Sequence, residues 1–455
     1  VIALSRPFSL PYHPARAYLL QKGLYLLLAF DVWLTMLPHG ARYGMGGFNA
    51  SHFGFLDVLF DALGLLPSAA FYVGLLLLTG GLSLMHVLTG GARFLRAAVF
   101  ALYTTSWLVS LFDSYQHHYL LSWLLLWTVF MPDVEVDAAC KRDVAPAYGW
   151  GLPMTALTCG IVYAFTAISK SEADWRAGHV LVRLSKSAPP GSSAPGVLDP
   201  LRDLLMSWFA IPEYVAWAWI AQSVILLQIV AAVGYFAASG RDGAKSRLRT
   251  WACALSLPAV LSFHAFAELG GMFDIGWFSY YMLWIGLVLL TPAAWVAELA
   301  RVITWPVRRF AARFDAVSEP RPAGALLQLT AAAGSCAVLG ASLDLPGAGS
   351  AGWLLALLIL GWGALQVRAA FLGSAQRLAI AGMLTSLACF IAFQQSDARY
   401  DYYRWAGGEL RSLGALPEAL AMYKKADHYA GPGRSRQKQI AELEQMIRAT
   451  ARDSD

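Results

Sequence analysis

The chain has 455 residues, of which 58% are hydrophobic and only 14% charged. Soluble domains carry about 25% charged residues, so this composition excludes an ordinary soluble globular protein. A net charge of +5 is too small for this length to make nucleic acid the main partner. The expected fold class is all-α, a polytopic transmembrane helix bundle of about ten or eleven spans, with the lipid bilayer as principal partner.

A bilayer core requires about 20 apolar residues per helix. Such runs lie at 17–37, 69–90, 93–112, 118–131, 149–168, 215–236, 250–268, 277–299, 323–344, 352–370 and 377–396. No A-x-A cleavage site marks the first run as a removed signal peptide. Segment 53–66 places apolar residues at helical spacing opposite Asp57 and Asp61, the pattern of an interfacial or re-entrant helix. Segment 172–214 holds a Pro/Ser/Gly linker, SAPPGSSAPG, between two short amphipathic pieces. Lys and Arg concentrate in alternate loops, through Arg6 and Arg16, Arg93 and Arg96, Lys141 and Arg142, Arg241 to Arg249, Arg301 to Arg321, and Arg368 and Arg377. The positive-inside rule then predicts a cytoplasmic N-terminus and, after eleven spans, an extracytoplasmic tail. Loop 169–214 is basic as well, but long loops obey the rule less strictly.

Beyond residue 397 the composition turns soluble. The stretch YYRWAGGELRSLGALPEALAMYKKADHYAG places Gly407, Gly414, Ala419, Tyr423 and Ala426 at the spacing of one tetratricopeptide repeat. A plain helical hairpin reads equally well. One such repeat cannot bury its own core, so the tail is expected to pack on the membrane domain, a partner or another copy. Three segments follow: 1–300, 301–396 and 397–455.

Ionisable groups at membrane depth are costly unless paired or hydrated, and they mark candidate sites. Asp31, Asp113, His117, His118, Lys170, Glu172, Asp174, His264 and Glu268 fall near the ends of helices predicted to face outward, with His86 on the other side. Each has a plain structural reading: a snorkelling lysine, a solvated turn histidine, a satisfied core histidine. Their shared side of the membrane points to one polar pocket. His264 and Glu268 have the i, i+4 spacing of a metal pair, but no third ligand accompanies them. The five cysteines form no CxxC motif, and four lie in apolar runs, where a thiol is a small buried hydrophobe.

Three stretches, covering roughly 15–300, resemble the vitamin K-dependent gamma-carboxylase family, which includes bacterial proteins with the horizontally transferred transmembrane domain. They are DSYQHHYLLSWLLLWTVFMP (113–132), YAFTAISKSEADWRAG (163–178) and FHAFAELGGMFDIGWFSYY (263–281). Ser171 and Gln116 depart from the usual leucine and asparagine. The resemblance implies a membrane enzyme that uses a reduced naphthoquinone (menaquinol or a vitamin K hydroquinone) with O2 and CO2. A lysine deprotonates the quinol, the quinol becomes an epoxide, and a strongly basic intermediate removes the γ-proton of a glutamate, which is then carboxylated. By position, Lys170 would be the base, with His117 and His264 as further catalytic residues, and Trp175, Tyr119 and Phe278 would wall the quinol ring. No metal is implied. The substrate would be a secreted peptide or protein. The soluble domain that follows the membrane part in animal carboxylases has no counterpart here. The alternative is therefore a non-enzymatic protein of the same fold that helps mature or export a secreted peptide. Glu172 and Asp174 oppose the enzyme reading, because a close carboxylate keeps a lysine charged.

Overall fold

The computed structural model describes residues 10–37, 54–62, 69–89, 93–108, 116–186, 198–240, 246–269, 277–317, 322–345, 347–369, 371–395, 398–412 and 414–453. Among them almost every element is a helix. The two exceptions are short strands, β1 (Leu10–Tyr12) and β2 (Ala147–Gly149), which pair antiparallel. The helices are α1 (Pro14–Asp31, continued by a π-helical stretch, Val32–Met36), α2 (Gly54–Ala62), α3 (Ala69–Thr89), α4 (Arg93–Leu108), α5 (Gln116–Val129) and the short α6 (Val136–Ala139). Then come α7 (Gly151–Ser169), α8 (Ala173–Arg176), α9 (His179–Lys186), α10 (Leu198–Phe209), α11 (Glu213–Ala238), α12 (Arg247–Leu269), α13 (Phe278–Leu290) and α14 (Ala293–Val317). The chain ends in α15 (Pro322–Ser342), α16 (Ala348–Arg368), α17 (Leu372–Gln395) and the tail helices α18 (Ala398–Ser412), α19 (Leu416–His428) and α20 (Gln437–Asp453).

Eight helices among the described residues are long and apolar enough to cross a membrane. The chain is an all-α, multi-pass membrane protein. Three of the eleven apolar runs fall short of that criterion. The described parts of α4, α5 and α13 have 16, 14 and 13 residues. At 1.5 Å per residue they reach only about 20–24 Å, against roughly 30 Å of hydrocarbon. The run expected as one span over 277–299 is two helices. Pro292 explains the break: its ring disfavours helical backbone at the residue before it, and Thr291 is extended at φ −72°, ψ 144°. The predicted interfacial segment forms α2, whose Phe55, Val58 and Leu59 are exposed. The linker at 187–196 and Asp113 lie outside the described residues.

The helices gather into two compact units, each discontinuous in sequence. One comprises Val1–Leu27 and Trp123–Arg313, the other Leu28–Ser122 and Phe314–Asp455. In the first unit α11 packs against α7 and α12, and α12 against α13. The start of α1 is tied down by polar side chains. Trp284 Nε1 donates to Leu19 O at 3.0 Å, Gln21 Nε2 to Pro132 O at 3.0 Å, and Tyr25 and Thr128 share a hydrogen bond at 2.8 Å. Arg16, assigned above to a loop, is buried. Its guanidinium donates to the carbonyls of Val288, Leu289 (3.1 Å) and Thr291 (2.8 Å). A cation thus caps the C-terminal carbonyls of α13, where the helix dipole favours positive charge.

In the second unit α15, α16 and α17 approach through small residues. A Cβ at Gly352 would lie 2.5 Å from Cys336 O, and one at Gly340 would lie 2.6 Å from Ala348 O. Such close approach is the usual basis of helix packing in lipid, where burial against lipid tails gives no driving force. Cys336 is buried among these helices as a free thiol.

The tail belongs to this unit. Ala419, Tyr423, Ile440 and Leu443 form its small core, and Gly407 leaves room for the Tyr423 ring, 3.1 Å from where a Cβ would sit. It clamps the turn between α15 and α16. Tyr403 OH donates to Asp344 O and Tyr429 OH to Asp344 Oδ2, both at 2.8 Å, while Arg399 Nε donates to Leu343 O at 3.0 Å. Lys425 Nζ stands 3.6 Å from Asp344 Oδ1. Asp344 itself adopts a left-handed backbone, φ 47°. Burial pushes its carboxyl up, but the hydrogen bonds from Tyr429 and Tyr403 and the charge of Lys425 outweigh that and hold it below the ordinary value.

Candidate functional site

Lys170 is the residue that ends α7. Nineteen mostly apolar residues precede it, and its backbone N–H donates to Thr166 O at 3.1 Å. The side chain is half-buried, with Nζ 5.2 Å from the centre of the Trp175 ring. Trp175 sits on the one-turn helix α8 and packs against a cluster of Leu181, Leu198, Trp217, Ile220 and Ala221. That cluster explains how the short amphipathic pieces of segment 172–214 fold, since α9 and α10 bury their apolar stripes against α11. Gly178, at φ +80°, lets the chain turn there: a Cβ at this position would come within 2.6 Å of the Trp217 backbone.

The two neighbouring carboxylates do not neutralise this lysine. Glu172 and Asp174 are exposed, and Asp174 is engaged by His179 at 3.3 Å and Arg183 at 3.6 Å. Among the described residues no carboxylate lies within ion-pair reach of Lys170. Burial lowers its pKa below the ordinary lysine value, although the Trp175 ring face favours the charged form.

His264 lies in α12 and is 1% exposed. Its Nε2 shares a 2.6 Å hydrogen bond with Tyr163 OH of α7. Its Nδ1 is buried and has no hydrogen-bond partner among the described residues. The Phe278 ring meets His264 edge-on at 5.8 Å, so two of the predicted site residues do come together. Tyr235 of α11 stacks on Tyr163, with ring centres 5.5 Å apart. Three membrane helices therefore hold one aromatic and imidazole stack inside the first unit. Glu268, the expected i+4 partner of His264, instead hydrogen-bonds Tyr280.

His117 and Tyr119 belong to the second unit. His117 is half-buried in the first turn of α5. The adjacent His118 is the buried one, and its Nδ1 shares a 2.6 Å hydrogen bond with Tyr103 OH of α4. The two imidazoles lie 4.3 Å apart. Tyr119 is more exposed and lies 4.3 Å from Trp107, whose Nε1 donates to Ser122 Oγ at 2.9 Å. Asp31 and His86 are buried in the same unit.

Sequence reasoning singled out the histidines but not the tyrosines that hold them. Tyr163 and Tyr103 stand in apolar runs where a phenol reads as another large aromatic. The available signal is that a buried phenol needs a hydrogen-bond partner. No family model, curated protein or solved structure matches the chain.

Proposed function

We propose that this chain is a membrane-embedded enzyme of the carboxylase or epoxidase type, acting with a lipid-soluble quinol and using Lys170 as its base. The observation that carries the reading is the state of Lys170: half-buried at the end of an apolar helix, below its ordinary pKa, with both neighbouring carboxylates turned to other tasks or to solvent. A lysine accepts a proton only when neutral, and desolvation without a carboxylate partner favours that form.

His264 fits a second role. Tyr163 holds its Nε2, leaving Nδ1 to hydrogen-bond a ligand oxygen, and the Phe278 ring lies edge-on beside it. Trp175 restricts where the Lys170 amine can go and excludes water from one side of it. A naphthoquinol, when bound, supplies the reaction with oxygen that generates a strong base. The chain's own residues take up the first proton, at Lys170 Nζ, and orient the ring. On this reading the N-terminus is cytoplasmic, the tail is extracytoplasmic and the substrate is a secreted peptide.

The test is quinol and oxygen consumption by the full-length protein in nanodiscs supplied with a reduced naphthoquinone. Lys170→Ala should abolish consumption, and Lys170→Arg should not restore it, because arginine stays protonated. Small neutral amines should partly rescue the alanine variant. Turnover should rise with pH, with an inflection below the ordinary lysine value of about 10.4. Unchanged consumption in Lys170→Ala, or none in the wild type, would leave the non-enzymatic reading, a membrane protein assisting peptide maturation or export.

A further inference from the structure

Helix α14 runs from Ala293 to Val317, 25 residues, yet it is too charged to cross a bilayer. Its described side chains divide into three stripes. Val296, Ala297, Ala300 and Thr304 are buried, and Thr304 Oγ1 lies 3.3 Å from Cys140 Sγ. Trp295, Val302 and Ile303 are large, apolar and exposed, the first two by more than 60%. Arg301, Trp305 and Arg309 recur at i, i+4 and i+8, which puts them on one face. Arg309 lies 5.1 Å over the Trp305 ring. Glu298, at the edge of the basic stripe, is already engaged by Arg301 and by Arg142 at 3.4 Å. Arg309 has no carboxylate partner among the described residues.

The helix also starts at the right depth. Residues around one crevice, Tyr12, Arg16, Leu152, Ala238, Gly240 and Leu289, come from β1, the beginnings of α1 and α7 and the ends of α11 and α13. That is one end of the membrane-crossing helices of this unit, and α14 leaves from it two residues after α13 stops.

We propose that α14 lies in the plane of the membrane surface as a binding site for anionic phospholipid, with Trp295, Val302 and Ile303 at the acyl boundary and Arg301 and Arg309 on lipid phosphates. A helix with one apolar stripe, one basic stripe and an interfacial tryptophan has the amphipathic pattern of an interface helix. Each basic residue near an anionic surface strengthens binding about fivefold. The inference is independent of the reaction proposed above.

The full-length protein in nanodiscs of mixed phosphatidylglycerol and phosphatidylcholine tests it. Native mass spectrometry of the released protein should show retained phosphatidylglycerol in excess. Arg301→Gln with Arg309→Gln should cut that excess by about fivefold per arginine, while the lysine substitutions at both positions should keep it. A spin label on Val302→Cys, in a variant whose native cysteines are replaced by serine or alanine, should meet dissolved oxygen before a water-soluble nickel chelate. Equal lipid retention in the glutamine double variant, or a label at 302 that meets the chelate first, overturns the proposal.

Discussion

Two tyrosine–histidine pairs, one in each unit, have the same 2.6 Å hydrogen bond and different settings. Tyr163 and His264 are 101 residues apart and join two membrane helices of the first unit. The second ring nitrogen of His264 is buried with no partner among the described residues. Tyr103 and His118 are only 15 residues apart, on consecutive helices of the second unit, and His118 also faces the ring of His117. A buried phenol and a buried imidazole satisfy one another wherever a fold brings them together. What differs is what the bond joins: one ties two membrane helices far apart in sequence, the other two consecutive helices with a second imidazole alongside. The first pair is a long-range tie on α7, the helix that Lys170 ends, and the second is a local brace.

The most demanding test of this contrast is activity. On the proposed function, His264→Leu should lower quinol turnover by about 100-fold or more, the scale of losing a positioned acid–base or hydrogen-bonding group. His118→Leu should stay within about fivefold of wild type, equivalent to a perturbation of about 1 kcal/mol. Equal losses in the two variants would erase the distinction.

Stability should sharpen it from the other side. The second unit depends on backbone contact between α15 and α16, so Gly352→Val should cost about 1–3 kcal/mol by overpacking and lower the thermal midpoint in detergent. Hydrogen-bond energies should not separate the units. Double-mutant cycles on Tyr163/His264 and on Tyr103/His118, each to Phe and Leu, should both give coupling of about 0.6–1.7 kcal/mol by steric-trap or denaturant unfolding. A much larger value for one pair would show that it carries a structural load that the other does not.

The smallest effect concerns the tail. The Asp344 carboxyl is held below its ordinary value, so its contribution to docking is fully present above about pH 4 and is lost as pH falls through the lower docked value. Asp344 and Lys425 are about half exposed, so this contribution should be no more than about 1 kcal/mol. Pepsin cleavage within the tail should accelerate more than cleavage elsewhere as pH falls through that lower docked value, and Asp344→Asn should remove the difference.

Much of this was legible in the residue order. The eight described crossing helices all fall on apolar runs visible in sequence, because length and continuous hydrophobicity suffice to define a span. The run across 277–299 was misleading because Thr291 and Pro292 are themselves uncharged, and hydropathy does not register the break that proline imposes. Lys170 stood out through its place at the end of an apolar helix. The fate of its neighbours did not: that Asp174 turns to His179 and Arg183 depends on how α8 and α9 fold back. In the 113–132 stretch, two adjacent histidines offered no way to tell which one is buried, and it is His118 that meets Tyr103.

Sequence by itself determined that this chain lives in a bilayer as helices, since a backbone in lipid must satisfy its own hydrogen bonds, and where the expensive charged groups lie. Only the tertiary structure decided which polar groups meet. The Tyr163–His264 bond, the capping of α13 by Arg16 and the grip of the tail on Asp344 each join residues dozens to hundreds of positions apart. Hydrophobicity, which places the spans, carries no directional information. Hydrogen bonds do, and their geometry exists only once the helices have packed.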